Sequence, residues 1–129
     1  MPLIHLEAHP VVETPFGRWS PLNDALAIRA FGVNAIVCDP GEEFDISHDE
    51  ADTGQQEAYV VVSGRAAFTI GDQRFEAGPG TVVSAPEPSA LRSYTALEPS
   101  TRIVCFGAAP APGQAADYGD WISEDATEA

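Results

Sequence analysis

From Gly41 to Gly64 the chain reads Gly-Glu-Glu-Phe-Asp-Ile-Ser-His-Asp-Glu-Ala-Asp-Thr-Gly-Gln-Gln-Glu-Ala-Tyr-Val-Val-Val-Ser-Gly. A polar, carboxylate-rich loop holding His48, Glu50 and Asp52 runs straight into an apolar, β-branched run that starts at Glu57 and stops at Gly64. Such a run, bounded by turn residues, is a short strand. A loop of imidazole and carboxylate groups feeding a strand offers candidate metal ligands.

The segments on either side follow the same grammar. Asp39-Pro40-Gly41 is a turn with its own mechanism, since proline fixes φ at the second position and glycine supplies the positive φ that follows. Upstream, Leu26, Ile28 and Ala30, then Val33, Ala35 and Val37, alternate with a period of two, which predicts a strand over 25–38 broken at Phe31-Gly32. Downstream, strands are expected from Glu57 to Phe75, with Gly71-Asp72 as a two-residue hairpin turn. Further strands are expected over 81–84, 90–96 and 102–106. At least seven short strands with Gly/Pro punctuation, and no amphipathic helix, predict an all-β barrel or sandwich.

Residues 1–24 carry Pro2, Pro10, Pro15 and Pro21 and suit an extended arm laid along a sheet, with Phe16 and Trp19 as its anchors. Residues 108–129 shift to Ala, Pro, Gly and acid and read as an irregular tail, with Tyr118 and Trp121 as docking points. The barrel is thereby assigned to 25–107. Tyr59 and Val61 alternate with Ala58, Val60 and Val62, and Ile103 and Cys105 with Val104 and Phe106, so both faces of these two strands are apolar. An antiparallel sheet with one wet face would alternate apolar and polar. Something covers the outer face, either the arm or a second copy, and a homodimer is expected.

Composition narrows the function. At 129 residues there is room for one domain. The net charge of -14 opposes approach to nucleic-acid phosphates and to anionic membrane surfaces. All six basic residues are Arg, and Cys38 and Cys105 lie in no Cys-x-x-Cys or Cys/His cluster, which leaves them as buried thiols. The N-terminal sequence lacks the charged and apolar regions of a signal peptide, and no stretch approaches a membrane helix, so a soluble cytoplasmic protein is expected. There is no Gly-rich phosphate loop, no Gly-x-Ser-x-Gly elbow and no His-Glu-x-x-His helix.

With these residues in place, the chain resembles the cupin family. Cupins carry a first motif with a His-x-His pair, a Glu, then a Gly six residues beyond, and a second motif that begins Gly-x5-Pro-x-Gly and contributes a further His. Glu57 and Gly64 keep the Glu-x6-Gly spacing, and Gly78-Pro79-Gly80 followed by Pro86 is similar to the start of the second motif. The resemblance covers roughly residues 31–107 and implies a double-stranded β-helix, the jelly-roll barrel. It also implies a metal held by three His and one Glu, and here the chain departs from the pattern. Depending on the alignment, His48 and Glu50, or Glu50 and Asp52, stand at the two His positions of the first motif, and the second-motif His falls on or near Leu91.

One imidazole with carboxylates is a harder ligand set than three imidazoles. A site of His48, Glu50 and Glu57, helped by Asp52, Gln55 or Gln56, would favour Mn, Mg or Ca. If Glu57 points inward as the resemblance implies, Tyr59 and Val61 do too, and Leu91, Ser93 and Thr95 are expected to join them from the facing strand. That lining is apolar with a few hydroxyls and one carboxylate and describes a small-molecule pocket. Arg92, next to Leu91, is expected to point outward, while Glu57 is expected to pair with an Arg, either Arg92 or Arg65. His5 and His9 read as surface residues of the arm.

Three functions remain open at the level of sequence. The first is a barrel that binds a small organic ligand without the three-His metal. The second is a metal-dependent enzyme, a dioxygenase or isomerase, with a rearranged site of His48, Glu50 and Glu57. The third is a metal-free acid/base enzyme in which Glu57 or His48 moves a proton beside Tyr59.

Overall fold

The computed structural model describes residues 3–14, 17–42 and 48–109. Its strands are β1 (Val12–Thr14), β2 (Gly17–Pro21), β3 (Gly32–Cys38), β4 (Gln56–Ser63), β5 (Ala66–Ile70), β6 (Gln73–Ala77), β7 (Val82–Ala85), β8 (Arg92–Ala96) and β9 (Thr101–Ala108), with one short helix, α1 (Asn23–Leu26). They form a six-stranded sheet in the order β1-β2-β3-β9-β4-β7 and a three-stranded sheet in the order β6-β5-β8. Every pairing is antiparallel. Two such sheets packed face to face make the jelly roll.

The expected turns form for the expected reasons. Gly71 has φ +60 between Ile70 and Gln73, which pair across the hairpin. Gly41 has φ +89, and the Glu42 amide closes its turn by donating to the Asp39 carbonyl at 3.2 Å. Gly64 combines φ +76 with a close approach: a Cβ there would sit 2.7 Å from the Thr101 Cα, a backbone atom that cannot swing aside. That closeness lets the fully buried Thr101 hydroxyl donate to the Glu98 carbonyl at 2.7 Å and accept from the Arg65 amide at 3.2 Å.

The core lies between the sheets. Tyr59, Val61, Phe68, Val83, Tyr94 and Ile103 form one cluster with three buried alanines. Its centre is aromatic: the Tyr59 and Phe68 rings are 5.7 Å apart, Phe68 and Tyr94 5.3 Å, and Tyr59 and Tyr94 5.7 Å in an edge-on contact. The barrel interior at this level is therefore packed with rings.

Two expectations about the first part of the chain need correction. Residues 25–31 are not strand: α1 occupies Asn23–Leu26 and ends at Ala27 in the left-handed region, φ 56. The Asn23 side chain causes the turn, because its amide donates to the Ile28 and Phe31 carbonyls and its oxygen accepts from the Val33 amide. Trp19 is not an anchor but stays 40% exposed, since β2 lies toward the edge of a six-stranded sheet faced by only three strands. Phe16, Tyr118 and Trp121 lie outside the described residues.

The outer face of the large sheet is covered in part. Ile4, Leu6, Leu26, Ile28 and Val104 pack against Leu22, Val33 and Ala35. The arm and α1 thus cover part of the β3/β9 half, whereas Val62 and Val82 remain exposed on the β4/β7 side. Among the described residues no helix is long and apolar enough to cross a membrane.

Candidate functional site

Glu57 is the second residue of β4 and shares the inward phase of Tyr59 and Val61. Opposite it on β9 stands Gly107, where a Cβ would press to 3.3 Å from the Glu57 Cγ, so the absent side chain makes room for the carboxylate. Glu57 Oε1 accepts from Arg92 Nη1 at 2.9 Å and from the Tyr59 hydroxyl at 3.0 Å. The Cys105 thiol lies 3.5 Å from Oε2.

The polar loop brings its own groups to this carboxylate. His48 is tied to the first residue of β8 by two backbone bonds, His48 amide to Arg92 carbonyl at 3.2 Å and Arg92 amide to His48 carbonyl at 2.8 Å. The Glu50 amide donates to the Pro88 carbonyl at 2.7 Å, and a turn over 50–54 folds back on it. The result places His48 Nε2 3.5 Å from Glu50 Oε1 and 3.7 Å from Glu57 Oε1. His48, Glu50 and Glu57 each offer one donor atom, all within 4.8 Å of one another. They grade from half-exposed His48 to Glu57 at 12% side-chain exposure.

Other sequence candidates do not join the cluster. Asp52 is exposed, Gln56 Nε2 donates to the Pro86 carbonyl, and Gln55 lines a separate cleft beside α1. The inward set expected on β8 is shifted by one residue. Leu91 is 51% exposed, and Ser93 and Thr95 line a cleft of about 410 Å³ with Thr69, Arg74 and Glu76, residues that pair on the outer face of the small sheet. Arg92, Tyr94 and Ala96 point inward instead. Tyr59 and Val61 do face inward, as members of the packed core.

Arg92 is the residue that sequence reasoning placed on the wrong side, although the pairing of Glu57 with an Arg is met by it. Its side chain is 1% exposed, and every nitrogen is engaged. Besides the bond to Glu57, Nη2 donates to the Glu87 carbonyl at 2.7 Å and to those of Ala90 at 3.1 Å and Pro88 at 3.3 Å, and Nε donates to Ala90 at 3.2 Å. A guanidinium enclosed by oxygen in this way pins the 86–91 turn to the barrel wall. Tyr94 and Ala96 share the parity of Arg92, but Leu91 just before the strand gives the other parity an apolar member as well. Cys105 was missed because a thiol alone carries no positional signal.

The site and the core are poor places for negative charge. Burial, then the Cys105 and Glu57 charges, push the Tyr59 hydroxyl well above its ordinary value, so it stays a donor to Glu57. Burial and then Glu57 raise the Cys105 thiol, and burial raises Tyr94. Cys38 is pushed up to about 12 by burial and by the nearby Glu42 and Asp39 charges. For each of these groups the folded value lies above the unfolded one. The stability they support is complete below the unfolded value and is lost as pH rises toward the folded one. For Cys38 that window runs from 9.0 to about 12. The fold is therefore expected to lose stability steeply above pH 9, by up to about 1.4 kcal/mol per pH unit from this thiol alone. Urea denaturation at several alkaline pH values measures the slope.

The metal centre implied by the family resemblance does not fit these residues. The donor set has one imidazole, and the Glu57 oxygen nearest His48 is already held by a guanidinium. Ligand chemistry alone thus argues against a nitrogen-rich transition-metal site.

No known family of sequences matches the chain, and no curated protein does. Solved structures do match. A candidate sugar phosphate isomerase from Acidithiobacillus ferrooxidans is 24% identical with a TM-score of 0.57, the match covering 70% of this chain and 58% of that one. A sugar phosphate isomerase of the cupin superfamily from Silicibacter pomeroyi is 18% identical with a TM-score of 0.67, covering 86% and 77%. A cupin protein from Bacteroides fragilis is 18% identical with a TM-score of 0.65, covering 91% of this chain and 98% of that one. At these identities the likeness concerns the fold. The antiparallel sheets and these likenesses agree: the chain has the cupin fold.

Proposed function

We propose that this protein binds a small polar organic molecule without net negative charge at the barrel mouth, through His48 and Glu50 with Glu57 behind them. The observation that carries the reading is the pairing of an acceptor-rich cluster with a spent cation. Two carboxylates and one imidazole converge within 4.8 Å, while Arg92, the cation in contact with them, has all its nitrogens engaged and is 1% exposed. Such a mouth suits hydroxyls and amines, which donate to carboxylates. A phosphate would meet like charge, in a chain that already carries -14. The sugar phosphate isomerase named for two structural neighbours acts on anions, so the reading drawn from these residues is a neutral polyol or an amine instead.

Calorimetry in the presence of a chelator tests this with neutral sugars, polyols and small amines beside their phosphorylated counterparts. Neutral or cationic compounds are expected to bind more tightly than the phosphorylated ones. Replacing His48 with alanine is expected to weaken the best ligand by up to about tenfold, the worth of one hydrogen bond, with the melting temperature nearly unchanged because His48 is half-exposed. A preference for the phosphorylated series, or indifference to His48→Ala, would sink the reading.

A divalent-cation site has one observation in its favour, the spacing of three donors within 4.8 Å. The Arg92 contact with Glu57 opposes it.

The assembly that goes with this reading is a homodimer formed through the uncovered β4/β7 side, where Val62 is 45% and Val82 65% exposed beside an edge strand. Light scattering is expected to give twice the 13.6 kDa of one chain, and Val82→Glu is expected to return it to one. A single-chain mass for the unaltered protein removes the dimer.

A further inference from the structure

The guanidinium of Arg92 sits in a cage of oxygens. Glu57 Oε1 lies 2.9 Å from Nη1, and the carbonyls of Glu87, Pro88 and Ala90 lie 2.7, 3.3 and 3.1 Å from Nη2. His48 Nε2 and Glu50 Oε1 stand on the open side of the same carboxylate. One carboxylate, three carbonyls, a further carboxylate and an imidazole form a donor set that suits a hard divalent cation.

We infer that Arg92 is the resident cation of this barrel: its guanidinium takes the place beside Glu57 that a bound metal would take, and so makes the site metal-free. The guanidinium lies among three carbonyls of its own 86–91 turn and neutralises the acidic residue of β4. A divalent ion on the same Glu57 oxygen would stand within a few ångströms of a fixed positive charge with little solvent between them. Repulsion at such a distance outweighs what His48 and Glu50 add at the exposed side. Two converging carboxylates need a cation beside them, and the guanidinium supplies it. The inference concerns metal alone and is independent of which organic molecule the mouth accepts.

The test compares Mn²⁺ titration of the full chain with that of Arg92→Ala, followed by calorimetry and thermal melting. The unaltered protein is expected to show no site of one ion per chain. Arg92→Ala is expected to take up one Mn²⁺ per chain at least about 100-fold more tightly, as removal of a unit charge from the cage implies. Adding His48→Ala to that variant is expected to weaken the gained site. If the variant does not fold alone, native circular dichroism regained with Mn²⁺ supports the inference, and failure to regain it overturns the inference. One tightly held ion per chain with Arg92 in place overturns it as well, as does a folded Arg92→Ala that binds no better than the parent. A ligand search that fails leaves these outcomes unaffected.

Discussion

Arg92→Met is expected to destabilise the fold by about 3–5 kcal/mol, the usual cost of breaking a buried ion pair by removing one partner. The methionine keeps much of the apolar stem, so lost packing contributes little. What is lost is the donor to Glu57, whose side chain is 12% exposed, and the donors to the Glu87, Pro88 and Ala90 carbonyls. Glu57 would then face Glu50 across His48 with Tyr59 and Cys105 as its remaining donors. Changing Glu57 to Gln in the same chain removes the orphaned charge and is expected to recover a substantial part of the loss. Urea denaturation of the parent, both single variants and the double variant measures this coupling directly. Equal stability for the single Arg92→Met and the double variant would mean that Arg92 acts through the turn carbonyls alone.

Phe68→Ala is expected to cost about 3–5 kcal/mol through the cavity it leaves. Phe68 is 1% exposed at the centre of β5, the middle strand of the small sheet. Its ring touches Tyr59 across the barrel, Tyr94 on β8 and Phe75 on β6, the last stacked at 6.0 Å and 12°. These three partners come from strands on both sheets and cannot close the gap without moving backbone. Phe75, 37% exposed at the rim, is expected to cost less than half as much when replaced by alanine. Thermal and urea melts of the two variants rank them, and a larger effect at Phe75 would place the centre of the core elsewhere. Because Tyr59 also donates to Glu57, a cavity at Phe68 is expected to loosen the site as well as the core.

The two experiments meet at one structural point. The inner phase of β4 carries Glu57, Tyr59 and Val61 in succession, so a single strand passes from site to core within five residues. Packing of Tyr59 against Phe68 and Tyr94 fixes where its hydroxyl points, and that hydroxyl helps to fix Glu57. The aromatic core and the carboxylate at the mouth are therefore coupled mechanically. A ligand-binding mouth built on rigid strands holds its groups in register better than one built on loops alone.

The strand inventory from β4 to β9 was determined by local chemistry. Gly41, Gly64 and Gly71 each sit at positive φ, where only a residue without Cβ is unstrained, and those positions can be read one residue at a time. The doubly apolar pattern of β9 likewise foretold a covered outer face, and Ile4, Leu6 and α1 cover part of it, whereas Val62 on β4 stays exposed. Within residues 31–107, which the family resemblance covers, the sequence offers one His, His48. What only the tertiary structure decided was phase and partnership. A period of two states which residues of β8 share a face, but not which face turns inward when each carries apolar members. Leu91, Ser93 and Thr95 against Arg92, Tyr94 and Ala96 is such a tie, and the charge on Arg92 pointed the wrong way. The tie is broken by oxygens that come from far along the chain and from the turn just before β8, Glu57 on β4 and the Glu87, Pro88 and Ala90 carbonyls. A buried cation is favourable only when such acceptors are already in place, and their convergence is a property of the folded barrel. The same holds for α1, where the Asn23 amide gathers carbonyls at Ile28 and Phe31 and overrides an alternating pattern that by itself spelled strand.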